Sequence, residues 1–445
     1  MSEEFDCCII GAGIAGLMTG AALAKKGLKI IILEKTSKLG GRSACTEYKN
    51  GYLVDNGIHV IRYCKKSPTA KIFKKFLGEK LQLIELGDGK FFYEGRWYDY
   101  PLSAAAIQTT DFFTDKEKEK FMKILADEII QGKSEPLLNT NVKKWLLDLE
   151  KKYELKSKGP RIFLETLAKF MLVSPGMLDK LSVGELKAGI QLGLKAGKGA
   201  CYPKGSWKSL IGKLSNIIRT NGEIRTGSTV KKVIINNKKV EGVIYNDQKK
   251  IKSKIVVVNL PCTNIFSILD EKLFSKKFID LCNGIIPSVG VSIDFGLKKK
   301  ISEFNGSILS ANPFTMSIFT SNIDPDVAPE GEQLYTIFQP TTIETIKDEK
   351  KSNEVIKNIE KLLEQMFPGF SNVISWKRAI KYQLVDAAIP LVTQHRNKRP
   401  NIQSKEIENL YFTGDSYNGP GTGGEIAHAS AELCIQAILN DLNLS

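Results

Sequence analysis

Two stretches of this chain carry residues suited to gripping a ligand with phosphates and hydroxyls. The first is "GAGIAG", residues 11–16, followed by an acidic side chain at Glu34. Glycines spaced in this way let backbone N–H groups close around a phosphate, and a carboxylate a short distance on can accept from a sugar hydroxyl. The second is "NLYFTGDSYNGPGTGGEIAHAS", residues 409–430. An apolar run ends there at Asp415, a glycine-rich loop follows, and an apolar helix is expected from about Gly424. Its free N–H groups and positive dipole end would face whatever Asp415 faces.

The elements that must position these groups are legible around them. Residues 5–10 read as a buried strand, residues 17–26 as a helix, and "GLKIIILEK" as a second strand ending at Glu34. Gly11 permits the tight turn, Gly13 lets the backbone approach a pyrophosphate, and Gly16 lets the helix pack against the strand. Glu34 falls eighteen positions after Gly16, inside one βαβ unit, which is the spacing of a dinucleotide site. The candidate residues at this end are Gly11, Gly13, Ile14, Ala15, Gly16, Glu34 and Lys35. The eighteen uncharged residues 7–24 approach membrane-spanning length, but the spacing of Gly11, Gly13 and Gly16 among them suits a strand, turn and helix instead.

The segment after Glu34, "KLGGRSACTEYKNGYLVDNGIHVI", is unlike the direct entry into another βα unit expected of a nicotinamide domain. It resembles the flavin amine oxidase and phytoene desaturase superfamily. The resemblance implies FAD, with Gly41, Arg42 and Ser43 along the phosphates and flavin, and Gly57, Ile58 and His59 near the ring. "CYPKGSW…KIVVVNLP", residues 201–261, is similar to the same family. It reads as a helix at 206–220 capped by Gly222, a meander (230–235, 240–245, 250–252) and a return to the main sheet. The resemblance places the backbone of Val230 against the adenine. It also implies that Gly414, Asp415, Gly424, Glu425 and Ile426 hold the flavin half, with Asp415 accepting from a ribityl hydroxyl. The helix start would then stabilise the reduced flavin.

The fold class expected is α/β: a Rossmann-like FAD-binding domain, made of a parallel sheet with a β-meander, plus an α+β substrate domain inserted in two segments. The FAD-binding parts are 1–75, 201–265 and 386–445; the substrate parts are 76–200, read as mostly helical, and 266–385, read as strands and helices. Thr114 with Glu117 and Ser182 with Glu185 are candidate capping boxes. Residues 387–391 occupy a stretch that approaches the flavin in many members of the family.

The remaining composition narrows the chemistry. No GxSxG elbow, HExxH, P-loop or CxxC occurs, and His59, His395 and His428 are far apart, so no metal site is expected and no catalytic side chain is assigned beyond His59 as a flavin neighbour. Residues 287–297 hold no Lys, where many amine oxidases have one, and residues 376–415 hold no Cys, so FAD should be noncovalent. No second GxGxxG unit with its own acidic strand end appears, which leaves oxygen, a quinone or a separate carrier to exchange electrons. The expected reaction is hydride transfer between flavin and a C–H bond of an apolar, isoprenoid- or carotenoid-like substrate, in a desaturase or saturase. The alternatives are amine or protoporphyrinogen oxidation, and a non-enzymatic lipid-binding role like that of the Rab GDP-dissociation inhibitors, which resemble this fold. Lys and Arg number 64 against 49 Asp and Glu, a net +15 spread along the chain with no basic block. The plain reading of that charge is a Lys-rich proteome, and attraction to anionic lipid or nucleic acid is the sharper one; no basic block is long enough for a nucleic-acid arm, and peripheral contact with anionic membrane is the form the sharper reading takes. The acidic opening "MSEEFD" and eight scattered cysteines suit a cytoplasmic protein.

Overall fold

The computed structural model describes residues 3–155, 158–197, 199–246 and 248–444. The outermost expected domain limits, residues 1 and 445, lie outside them, as do Met1 and Ser2 of the acidic opening.

The first sheet is built on the strand Glu3–Ile10, which pairs in parallel with Ile30–Leu33 on one side and Lys249–Val258 on the other. Gly222–Arg225 and Leu410–Phe412 add parallel strands at the two flanks. Ile9, Ile30, Ile32, Val256 and Val257 are fully buried, as a parallel sheet covered on both faces requires. Helices Ile14–Lys25, Ser206–Thr220 and Glu425–Asp441 cover one face and share a core with it. The meander Val230–Asn236, Lys239–Tyr245 joins the sheet through the first half of Lys249–Val258. Residues 250–252 and the returning strand are therefore one continuous element. Its first half pairs antiparallel with the meander and its second half parallel with Leu410–Phe412.

The second sheet runs Ile374–Tyr382, Val289–Leu297, Gln333–Thr341, Phe314–Phe319, Ile308–Ala311, Lys90–Tyr93, Arg96–Asp99. Helix Glu349–Met366 buries Ile359, Leu362, Leu363 and Met366 against one face. A helical layer with its own core, including Phe121, Ile124, Val142, Trp145, Leu146 and Leu149, lies between residues 104 and 196. The Thr114–Glu117 capping box is present.

Three local expectations need correction. Within the part read as mostly helical, Leu83–Glu85, Lys90–Tyr93 and Arg96–Asp99 are strands, the last two because "KFFYEGRWYDY" sets large β-forming side chains around a Glu-Gly turn. Gly222 is no left-handed cap but the first residue of a strand; a Cβ there would lie 2.2 Å from the Ile30 carbonyl oxygen, so close sheet pairing explains the glycine. At the second capping box, Ser182 accepts from the Glu185 N–H at 3.4 Å, but the Glu185 carboxylate turns instead to Arg396.

The cysteine pattern also hid a pairing. Cys64 and Cys201, 137 positions apart, form a disulfide beside the small sheet of Ile61–Arg62, Ala200–Pro203 and Leu83–Glu85. Among the described residues no helix is long and apolar enough to cross a membrane.

Candidate functional site: one cavity reached by both ends of the chain

At the end of strand Glu3–Ile10 the backbone turns at Gly11, whose φ of +100° suits glycine. Helix Ile14–Lys25 starts directly after Gly13. A Cβ at Gly16 would stand 2.4 Å from the Gly11 carbonyl oxygen, so only glycine lets the helix lie this close. Asn259, just past strand Lys249–Val258, pins the turn by donating to the carbonyls of Gly11 at 3.1 Å and Gly13 at 3.4 Å. Glu34 fastens it from the other side: Oε2 accepts from the Ala12 N–H at 2.8 Å, and Oε1 from the Thr36 N–H and hydroxyl at 2.9 and 2.8 Å. Those bonds leave acceptor capacity on the carboxylate for a ligand hydroxyl. The second glycine pair packs onto the first. The Gly40 N–H donates to the Ala12 carbonyl at 2.8 Å, and a Cβ on Gly41 would stand 3.2 Å from the Gly13 Cα.

Arg42 leaves this glycine turn and meets the other end of the chain. Its two terminal nitrogens donate to the two oxygens of Asp415, both at 2.6 Å, and Nη1 also donates to the Val385 carbonyl at 2.7 Å. Asp415 accepts a further bond from the Ala387 N–H at 2.7 Å. Burial works to raise the Asp415 carboxyl, but the Arg42 guanidinium outweighs it and holds the acid below the usual range. Arg42 is therefore held by a carboxylate from the other end of the chain.

Beyond Asp415, helix Glu425–Asp441 opens without a side-chain cap. The Glu425 carboxylate is buried and accepts from the Arg62 N–H at 2.9 Å. The Arg62 guanidinium donates to the Thr422 hydroxyl at 2.6 Å and to the Met171 carbonyl at 2.9 Å, tying the helical layer to this corner. Burial pushes Glu425 up to about 7 and Asp386 up to about 6. His59 and His428 are pushed down to about 4 by burial and stay neutral. His59 Nε2 lies 3.1 Å from the Asn56 carbonyl, and the Trp207 indole donates to the His59 carbonyl at 3.1 Å.

These groups line a single cavity of about 1100 Å³. Gly11, Gly13, Ile14, Ala15, Glu34, Lys35 and Val230 line one end; Gly41, Arg42 and Ser43 the middle; Gly57, Ile58, His59, Gly414, Asp415, Gly424 and Glu425 the other. Gly16 and Ile426 stand behind the wall: Gly16 against the Gly11 turn, Ile426 fully buried in the helix. The approach from the second sheet is made by Leu384, Val385 and Asp386, with Ala388, Ile389 and Leu391 packed into the core. Sequence reasoning missed Asn259, Arg62, Asp386, Phe170, Val173 and Tyr382. Asn259 closing "VVVNLP" was the one with a local signal, a polar side chain at a buried strand end. His395 lies elsewhere, 3.3 Å from Asn139. No cluster of three metal-ligating side chains occurs among the described residues.

A cavity of this volume lined by the Gly11 and Gly13 turn and the Glu34 carboxylate at one end, and by Asp415 and the start of helix Glu425–Asp441 at the other, fits FAD. Fold and site thus define an FAD-dependent oxidoreductase. The chain belongs to the flavin containing amine oxidoreductase family, whose pattern it matches over residues 14–439. It is 25% identical to a 4,4'-diapolycopen-4-al dehydrogenase of Metabacillus indicus, over 97% of this chain and 96% of that one. It is 24% identical to the chloroplastic prolycopene isomerase of Daucus carota, over 100% of this chain and 81% of that one. In structure it is similar to an oxidoreductase from Methanosarcina mazei, with a TM-score of 0.80 at 20% identity, covering 97% of this chain and 100% of that one.

Proposed function

We propose that this oxidoreductase moves a hydride between noncovalently held FAD and a carbon–hydrogen bond of an apolar, isoprenoid-like substrate. Bound FAD supplies the hydride acceptor or donor at its N5 atom. The chain's own part is to place the substrate and keep water away. In this reading the binding residues are those lining the cavity, with Gly16 and Ile426 as supports. Residues 76–200 and 266–385 supply the substrate side. The observation that carries the reading is the wall at the Gly57 end: Ile58, Phe170, Val173, Met316, Phe338 and Leu384 present an apolar, partly aromatic surface. Relatives named for carotenoid-type compounds agree with it. Electrons are exchanged with oxygen, a quinone or a separate carrier, since a single dinucleotide unit is present in the sequence. A peripheral contact with anionic membrane is part of the proposal, supported by the +15 charge and by the exposure of Ile130 and Leu194.

Amine oxidation is the second reading. Asp386, buried on the cavity wall, offers a counter-charge for an ammonium group. An anaerobic screen that follows bleaching of the flavin decides between them. Polyprenyl or carotenoid-like compounds should reduce or reoxidise the flavin and amines should not. Bleaching by amines alone sinks the first reading. A colourless protein that cannot be reconstituted with FAD sinks both and leaves a lipid-binding role.

A further inference from the structure

A helix that begins uncapped at a buried site is a standing positive charge, and at a flavin it would favour the reduced, anionic form at every pH. Here that charge is not standing. Glu425 occupies the first helical position, is 2% exposed and faces the cavity. While ionised, its carboxylate cancels the dipole end at close range; when protonated, it uncovers it. We propose that Glu425 is the charge-compensating group of the bound flavin, taking up one proton from solvent when the flavin is reduced and giving it back on reoxidation. This rests on the FAD reading of the cavity.

The groups around Glu425 permit this exchange. From the strand Ile61–Arg62 the Arg62 N–H donates to Oε1, and the guanidinium Nε stays 3.6 Å from Oε2 while its other nitrogens serve Thr422 and Met171. Tyr63 follows on the same segment, and burial pushes its hydroxyl up to about 12, so it stays neutral. Helix Gly159–Met171 presents backbone carbonyls there. From the segment before Ala387 comes Asp386, bonded to Ser288. From the glycine loop comes Asp415, neutralised by Arg42. On its own helix His428 is neutral, bonded to the Thr69 hydroxyl at 2.9 Å. Helix Val183–Ala196 carries Glu185, held by Arg396. Asp415 and Glu185 are thus matched by other arginines, Arg62 has Glu425 as its carboxylate partner and keeps its positive charge when Glu425 is protonated, and Glu425 and Asp386 are the acids left to titrate near neutrality.

The balance is explicit. An external reductant such as dithionite delivers two electrons; one proton accompanies them onto the flavin, and a second converts the Glu425 carboxylate to the acid. Potentiometric titration of the holoprotein against reference dyes reads this directly. The wild type should keep the two-proton slope of potential against pH on the alkaline side of neutrality. Glu425→Gln keeps an acceptor for the Arg62 N–H, and should halve that slope and raise the potential there. Glu425→Asp should restore the steep slope. A merely structural Glu425 would change FAD retention and leave the slope alone, which overturns the proposal. So does a slope that falls in Asp386→Asn and stays in Glu425→Gln. If the Gln variant does not hold FAD, a pH indicator during reduction of wild-type holoprotein decides: two protons per two electrons supports the assignment, one overturns it. Protein that takes up no FAD overturns both this proposal and the reading beneath it; holoprotein with a one-proton slope overturns this proposal alone.

Discussion

The Arg42–Asp415 pair joins side chains 373 positions apart with two bonds of 2.6 Å. Bidentate pairing fixes both planes, so Asp415 is oriented by the glycine turn that precedes Arg42 and not only by its own loop. The Arg42 side chain keeps 36% exposure while Asp415 keeps 4%. Loss of Arg42 therefore strands a buried carboxylate, whereas loss of Asp415 leaves a cation that water can reach. Arg42→Ala should accordingly destabilise the protein more than Asp415→Asn. Asp415→Asn should still loosen FAD at least tenfold, by about 1.4 kcal/mol or more. Urea unfolding of both single variants and the double should give a coupling of about 0.5–3 kcal/mol. Strict additivity would show that the two ends are not stitched here, and unchanged FAD affinity in Asp415→Asn would remove its proposed role.

Among the elements, the opening βα turn is the most constrained. Gly16→Ala would place a methyl 2.4 Å from the Gly11 carbonyl oxygen and 2.6 Å from Asn259 Nδ2. The oxygen is backbone and cannot swing aside, so helix Ile14–Lys25 must shift, at a cost of about 1–3 kcal/mol. The thermal midpoint should fall and FAD should be retained poorly; a variant that melts and binds like the wild type would mean that the helix has slack. This turn was legible because its requirements are local: glycines, a buried strand and an acid at fixed spacing. Helix Ser206–Thr220 was legible to its ends for the same reason, since Leu210, Ile211, Leu214 and Ile218 follow the 3.6-residue period and are buried. What stayed hidden depends on partners far along the chain. The aromatic hairpin at 90–99 belongs to a sheet whose other strands begin at residue 289. Cys64 meets Cys201, and Arg62 meets Thr422 and Glu425, through pairings that no spacing announces. Glu185 reads as half of a capping box until Arg396 arrives 211 positions later. Asp386 stands two residues past Leu384 in a stretch whose apolar remainder goes into the core, and only the tertiary fold decides which part faces the cavity.

For the whole molecule, the cavity draws its wall from segments near residues 11–43, 57–62, 170–173, 228–230, 382–386 and 414–428. A ligand filling it touches the first strand–helix unit, the meander, the second sheet and the last helix together. Parts contributed by discontinuous segments have the loosest claim on one another when the space between them holds only water. A ligand that binds the folded state alone stabilises it by mass action, by about 2.7 kcal/mol when free ligand stands at a hundred times its Kd. FAD should therefore raise the thermal midpoint of the apoprotein in a concentration-dependent way, and should protect the amino-terminal turn and the glycine-rich loop from proteolysis together, not one without the other. AMP, which has no flavin half, should protect the Gly11 turn and leave the 414–424 loop as susceptible as in the apoprotein. If FAD shields one end only, the two ends do not grip one molecule, and the oxidoreductase reading loses its structural basis even though each end remains a plausible site by itself.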